Sequence, residues 1–203
     1  MAARKAKAPK SKTSADDKRE AILQAALTLF VERGFHGTAV PQIAAQAGVA
    51  AGTIYHHFAN KEALGNALFR RWKEAIAGKV LSSFPQEGDA RQQFSAVWKA
   101  MVTFAQENEA AFGFIELHHH SSYLDEQSRA VDHQLKAFGA GFVGRWQKEG
   151  VLKPMNPLLL MELVFGSFIS MMRAHGEERV TLDADLLQAA EDACWDMIRV
   201  HGP

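Results

Sequence analysis

The sequence predicts an all-α fold of about nine helices. Three observations lead there. Apolar residues recur at spacings of three and four along most of the chain. No segment alternates apolar and polar residues as a strand would. Gly, Pro, Asn and Asp fall at intervals that suit helix ends. Of 203 residues 47% are hydrophobic, enough for a buried core. There is no internal repeat.

The elements follow in order. Residues 1–13 carry Arg4, Lys5, Lys7, Lys10 and Lys12 with little apolar bulk, a basic arm that either touches phosphates or keeps the chain soluble. Ser14, Asp16 and Asp17 offer cap oxygens and negative charge to a first helix. Its apolar face is Ile22, Ala26, Leu29 and Phe30, and Gly34 closes it. A short helix over 39–47 holds Pro41 in its first turn, where a missing N–H does no harm, and Gly48 ends it. A third, after Val49, ends near Phe58. Asn60 caps a longer helix with the stripe Ala63, Leu64, Ala67, Leu68 and Trp72. Pro85 and Gly88 break the chain over 82–89. Phe94, Val97, Trp98, Met101, Val102 and Ala105 mark the next helix. Asn108 is placed to cap another, carrying Phe112, Ile115 and Glu116 into the histidines at 118–120. A helix over 125–149 stops at Gly150, and Pro154 and Pro157 frame a turn. Residues 158–172 are apolar nearly all round, and the last helix runs from about 183 to 200.

The formal charge is zero, but it is unevenly spread. Residues 1–75 hold 12 Lys and Arg against 6 Asp and Glu; residues 76–203 hold 11 against 17. A basic first part on an acidic body points to nucleic acid as partner of the former. The single cysteine, Cys194, excludes an internal disulfide and fits a reducing, cytoplasmic compartment. It is expected to be buried packing. No uninterrupted apolar run reaches the roughly 18 residues that span a bilayer, so no membrane partner is expected.

The informative stretch is 34–72, GFHGTAVPQIAAQAGVAAGTIYHHFANKEALGNALFRRW. Two short helices flank a tight AGVA turn, with Gly48 where φ must be positive. Ile43, Ala44, Ala47, Val49 and Ile54 supply the small core that sets their angle. The second helix then turns its polar side outward, and a major groove about 12 Å wide admits one helix.

From Gly37 to Leu64 the pattern G-T-x-V-x-x-I-A-x-x-A-G-V-x-x-G-T-I-Y-x-H-F-x-N-K-E-x-L resembles the tetracycline-repressor (TetR) family. The resemblance implies a basic arm over 1–13, a three-helix helix-turn-helix DNA-binding domain over 14–60, and a helical ligand-binding and dimerisation domain over 61–203. It also assigns roles. Thr38 bonds a phosphate at the mouth of the second helix. Ala51, Gly52 and Thr53 open the recognition helix, with Gly52 letting the backbone approach DNA. Tyr55 reaches a phosphate, His56 a base or phosphate, and His57 and Lys61 the DNA backbone. A packing role is the alternative for Tyr55 and His57, a solvated one for Lys61. Ala39, Ala50 and Ala51 stand where the family often has polar residues, so the recognition helix is poor in long polar side chains. Contact of Ala51 with a thymine methyl and readout of DNA shape then gain weight.

The remainder suggests a pocket and a dimer. Trp98, Met101, Phe104, Phe114, His118, Phe138, Phe142, Met161 and Phe165 are candidate lining for a small apolar ligand. The apolar run and the last helix suggest a four-helix interface between two copies, through Leu160, Val164, Ser167, Met171, Leu186, Ala190, Ala193 and Met197. Paired recognition helices suit a palindromic operator in double-stranded DNA, and a ligand favouring the non-binding state releases it.

Consecutive histidines on a helix point about 100° apart, so His118, His119 and His120 cannot share one ion. Glu116 with His120, joined by His133 or His175, is the remaining metal arrangement, and no metal or other cofactor is expected. No nucleophile–base pair, Gly-rich phosphate loop or carboxylate–His set appears, so no enzyme is expected. A metal- or pH-responsive regulator, an activator, and a helical lipid carrier or enzyme are the alternatives to a ligand-released dimeric repressor.

Overall fold

The structure, a computed structural model, describes residues 15–202. The expected arm at 1–13 and the Ser14 cap lie outside them. The described residues form nine helices. They divide into two compact units, one ending at Leu64 and the other beginning at Gly65.

The first unit holds α1 (Ala15–Arg33), α2 (Val40–Ala47), α3 (Ala51–His57) and the start of α4 (Lys61–Ser83). Asp16 and Asp17 sit in the first turn of α1, where the helix dipole favours negative charge. Gly34 and Gly48 end α1 and α2 with φ of 71° and 66°, a conformation that costs a residue with a Cβ. Asn60 Oδ1 accepts the Ala63 N–H at 2.7 Å and caps α4. Ala39 has no cap oxygen to offer α2. The reciprocal bond survives, with its N–H donating to Gln42 Oε1 at 2.9 Å. Ile22, Ala26, Leu29, Phe30, Ile43, Ala44, Ile54 and Phe58 are buried together with Leu64.

The second unit continues along α4 and adds α5 (Ala90–Glu107), α6 (Glu109–Leu117), α7 (Glu126–Lys148), α8 (Pro157–Gly176) and α9 (Ala184–Ile198). Asp89, Asp125, Asn156 and Asp183 cap α5, α7, α8 and α9 through side-chain oxygens. Asn108 does not cap α6. Its Nδ2 donates instead to the Phe104 carbonyl at 3.1 Å, closing the end of α5. The last helix stops short of residue 200 because Arg199 turns extended and forms an isolated antiparallel bridge with Leu152.

Aromatic rings hold this core. Trp98 stacks on Phe94 with centroids 6.1 Å apart and meets Phe168 edge-on at 5.3 Å. Phe112 meets Phe168 at 5.9 Å, and Phe104 meets Trp72 at 6.4 Å. Such pairs favour the edge-on or offset geometries set by the ring quadrupole.

His120 is the buried polar centre of the 118–125 connection. Its Nε2 lies 2.7 Å from the Phe114 carbonyl, which can only accept, so that nitrogen carries the proton. Nδ1 then accepts from the Tyr123 hydroxyl. Asn66 Nδ2 donates to the Tyr123 carbonyl at 2.8 Å, and Asn66 Oδ1 accepts the Asp125 N–H at 2.9 Å. Both imidazole nitrogens are used in the neutral form, and burial pushes the His120 pKa down from 6.5 to about 4.

In the unfolded chain His120 takes up a proton near pH 6.5; in the folded chain it resists until about pH 4. Stability attributable to this residue is therefore lost as pH falls through that window. Urea unfolding at pH 7.5 and 4.5 should show wild type losing about 2 kcal/mol more than His120→Leu loses. Equal losses would contradict the buried neutral imidazole.

Candidate nucleic-acid interface and ligand cavity

α3 has seven residues, too few to hold a helix by itself. Its inner side is anchored by Ile54, 1% exposed, and by Phe58 at its C-terminal cap, 5% exposed. Arg19 lies over the Phe58 ring, 5.4 Å from its centroid. With that side fixed, the helical period places Ala51, Gly52, Tyr55 and His56 outward. Tyr55 is 56% exposed, so its phenol is presented to solvent and its packing alternative fails. A Cβ on Gly52 would meet nothing, so that stretch of backbone is open to approach. Thr53 and His57 are half-buried, and the His57 ring sits 5.4 Å from that of His56.

Two residues expected at the DNA surface face inward. Thr38 is 2% exposed, and its Oγ1 is placed between the carbonyls of Gly34 (2.9 Å) and Leu29 (3.1 Å). It ties the end of α1 to the start of α2 and is not available to a phosphate. Lys61 is neither solvated nor extended. Its Nζ donates to the carbonyls of Phe35 (2.9 Å) and Thr38 (3.0 Å) and lies 4.4 Å from the Phe35 ring centroid. Both side chains serve carbonyls at the end of α1 and in the turn after it, Thr38 those of Leu29 and Gly34, and Lys61 those of Phe35 and Thr38.

The second unit holds a partly open cavity of about 180 Å³ lined by α4, α5, α6, α7, α8 and α9. Of the expected lining residues, Met101, Phe138, Phe142, Met161 and Phe165 are there. Trp98, Phe104 and Phe114 belong to the aromatic core, the last against His120 at 4.8 Å, and half-buried His118 ends α6 away from the cavity. The sequence reading missed Phe84, Phe94, Leu135 and Val143, and it missed a set of charges. Lys73 Nζ lies 2.8 Å from Glu116 Oε1 and 3.3 Å from Asp132 Oδ1, and Lys136 Nζ lies 2.9 Å from Asp132 Oδ2. Burial raises the Glu116 carboxyl pKa, opposed by Lys73. Burial also pushes Asp132 up, but Lys136 and Lys73 together outweigh it and hold its pKa down. The Asp132–Lys136 spacing of four was visible in the sequence; the 43 residues from Lys73 to Glu116 carried no such signal.

The expected pair of Glu116 and His120 is not brought together. Glu116 is turned to Lys73 and His120 to Phe114 and Tyr123, and no group of three potential ligands occurs among the described residues.

The outer side of α8 is apolar and uncovered in the single chain. Leu158 and Leu159 are 49% exposed and Leu163 is 40%. Gly166, Ser167 and Ser170 continue that side, and Leu186 and Ala193 are exposed on α9. Leu160, expected at an interface, is 1% exposed and lines the cavity, as does half-buried Val164. The cause is register: Leu159 and Leu163 lie roughly a quarter-turn around the helix from Leu160 and Val164, toward its exposed side. Met171, Ala190 and Met197 are half-buried. By length and composition α8 is apolar enough to cross a membrane, contrary to expectation, although Leu160, Phe168 and Met172 are buried within the unit.

A helix-turn-helix unit joined to a helical unit with an apolar cavity defines a class of DNA-binding regulator. Comparison with known proteins makes the class specific. Residues 22–68 match the family described as bacterial regulatory proteins, tetR family, and residues 69–200 match the tetracyclin repressor-like C-terminal domain. The HTH-type transcriptional repressor KstR2 of Mycolicibacterium smegmatis is 28% identical over 200 residues, covering 97% of this chain and 85% of that protein. A TetR family transcription regulator of Shewanella sp. PV-4, known from its crystal structure, is 31% identical with a TM-score of 0.79, over 91% of this chain and 99% of that one. AibR, crystallised with isovaleryl coenzyme A and operator DNA, shares the fold at 20% identity and a TM-score of 0.72, over 89% of this chain and 97% of its own. The chain belongs to the TetR family of transcriptional regulators.

The two kinds of residue around α3 should separate by stability. Lys61→Met removes two charge-assisted hydrogen bonds and should cost about 1.5–3 kcal/mol in urea unfolding. Tyr55→Ala, at an exposed position, should stay within about 0.5 kcal/mol of wild type. The reverse order would contradict the placement of both side chains.

Proposed function

We propose that the protein is a dimeric transcriptional repressor that holds a palindromic operator and is released by a small apolar ligand. Residues 14–60 serve as its DNA-binding domain and 61–203 as its ligand-binding and dimerisation domain. The observation that carries the reading is the outward side of α3, where Ala51, Gly52, Tyr55 and His56 are exposed while Ile54 and Phe58 are buried. In this reading the Tyr55 hydroxyl bonds a phosphate, His56 meets a base edge, and Thr53 and His57 contact the backbone at the margins. Ala51 and Gly52 permit close approach without adding polar readout, so operator shape contributes to recognition. The similarity to the KstR2 repressor of Mycolicibacterium smegmatis supports repression as the mode of action.

The dimer is proposed through α8 and α9. Leu159, Leu163, Ser167, Leu186 and Ala193 would meet their counterparts around a two-fold axis, with Ala190, Met171 and Met197 at the flanks. A patch with several exposed leucines is more than a solvated surface ordinarily carries. The ligand would occupy the cavity. Its later turns line that cavity while its first turn holds Lys61, so α4 is a continuous covalent element joining the two activities. Any release requires the ligand to favour the conformation with the weaker hold on DNA. The protein acts without catalysis and, as a DNA-binding regulator, in the cytoplasm.

Binding to the DNA upstream of its own gene should weaken steeply with salt, as expected when Lys and Arg displace counterions. Tyr55→Ala should lower affinity for specific and non-specific duplexes alike by roughly ten- to a hundredfold. His56→Ala should change preference among operator variants more than it changes non-specific affinity. Leu163→Glu should sediment as single chains and lose operator affinity. If all three variants bind like wild type, the reading fails.

A further inference from the structure

Four charged groups that line the cavity, Lys73, Glu116, Asp132 and Lys136, are already paired with one another, and this limits what can enter. Lys73 comes from α4, Glu116 from α6, and Asp132 and Lys136 from α7; Glu162 of α8 also borders the cavity but is exposed. α5 and α9 contribute only apolar groups, Phe94, Val97, Met101 and Ile198. Lys73 is 6% exposed and divides its ammonium between Glu116 and Asp132. Lys136 is held by the second oxygen of Asp132. Two ammonium groups thus face two carboxylates, and Glu162 stays at the solvent-exposed side. An ammonium has three N–H donors, and two on Lys73 are directed at carboxylates, leaving one for a neutral acceptor.

We infer that the part of the effector entering this cavity is uncharged: a hydrocarbon body with one hydrogen-bonding oxygen, hydroxyl or carbonyl, that meets the Lys73 end. The inference rests on the proposed effector role of the cavity. A carboxylate would enter as a further negative group where both ammonium groups are already held by carboxylates. An ammonium would have to displace Lys73 from Glu116 or accept like-charge repulsion from it. A hydroxyl or carbonyl takes the remaining Lys73 proton without breaking either ion pair, and the hydrocarbon replaces water against Phe84, Phe138, Phe142 and Phe165.

Octan-1-ol, octanoate and octylammonium, titrated into the full chain at pH 7.5 by calorimetry, form the test. The alcohol should bind at least tenfold tighter than either ion. Asp132→Asn removes one of the two carboxylates on Lys73 and releases Lys136; it should raise octanoate affinity at least tenfold and change octanol affinity less than threefold. Octanoate or octylammonium binding within threefold of octanol to the wild type would overturn the inference, whether or not the variant folds. Met101→Trp, which fills the cavity, separates this from the underlying reading. Octanol that fails to bind wild type, or that binds Met101→Trp equally, overturns the effector role of the cavity and the inference with it.

Discussion

The seating of α3 is the constraint on which the molecule depends. A helix of seven residues gains too little from its own hydrogen bonds to persist, so its existence and its direction both come from what it buries. Ile54 and Phe58 supply that burial. Removing either side chain would leave a cavity costing about 2–5 kcal/mol, more than so small an element can lose. The positive φ at Gly48 brings α2 and α3 together at a fixed angle. Thr38 ties down the carbonyls of Leu29 and Gly34, and Lys61 those of Phe35 and Thr38. None of these groups faces outward, and together they leave Tyr55 and His56 free to do so.

The second unit solves a different problem. Six helices must pack around a space that stays open, and the aromatic cluster of Phe94, Trp98, Phe112 and Phe168 fills the core beside it, reaching the lining through Phe94. The charges at Lys73 are costly to bury and are retained as a mutually satisfied set. α7 and α8 approach closely beside the cavity: a Cβ on Gly139 would collide with the Met161 sulfur. A larger residue there would force the methionine to move within the cavity it lines.

The helices were legible because their signals are local. Gly34, Gly48 and Asn60 mark ends by backbone conformation or a side-chain cap, which depend on neighbours two to four residues away. The outward position of Tyr55 and His56 followed from the same short period once Ile54 was taken as core. What the sequence did not disclose was long-range. Thr38 and Lys61 look like polar surface groups until the turn that needs their donors is seen. Trp98, Phe104 and Phe114 share the composition of pocket aromatics, and only tertiary packing separates core from lining. The exposed side of α8 was misread by one residue, Leu160 for Leu159, because a nearly all-apolar helix has no polar side to fix its rotation. Asn108 was read as a cap for the helix after it but serves the one before.

Amide hydrogen exchange of the full chain, with and without the duplex upstream of its gene, addresses the seating of α3 most directly. New protection should concentrate in residues 50–57. It should be absent in Ile54→Ala, whose second unit still exchanges as in wild type. Protection confined to other segments, or retained by Ile54→Ala, would contradict the account.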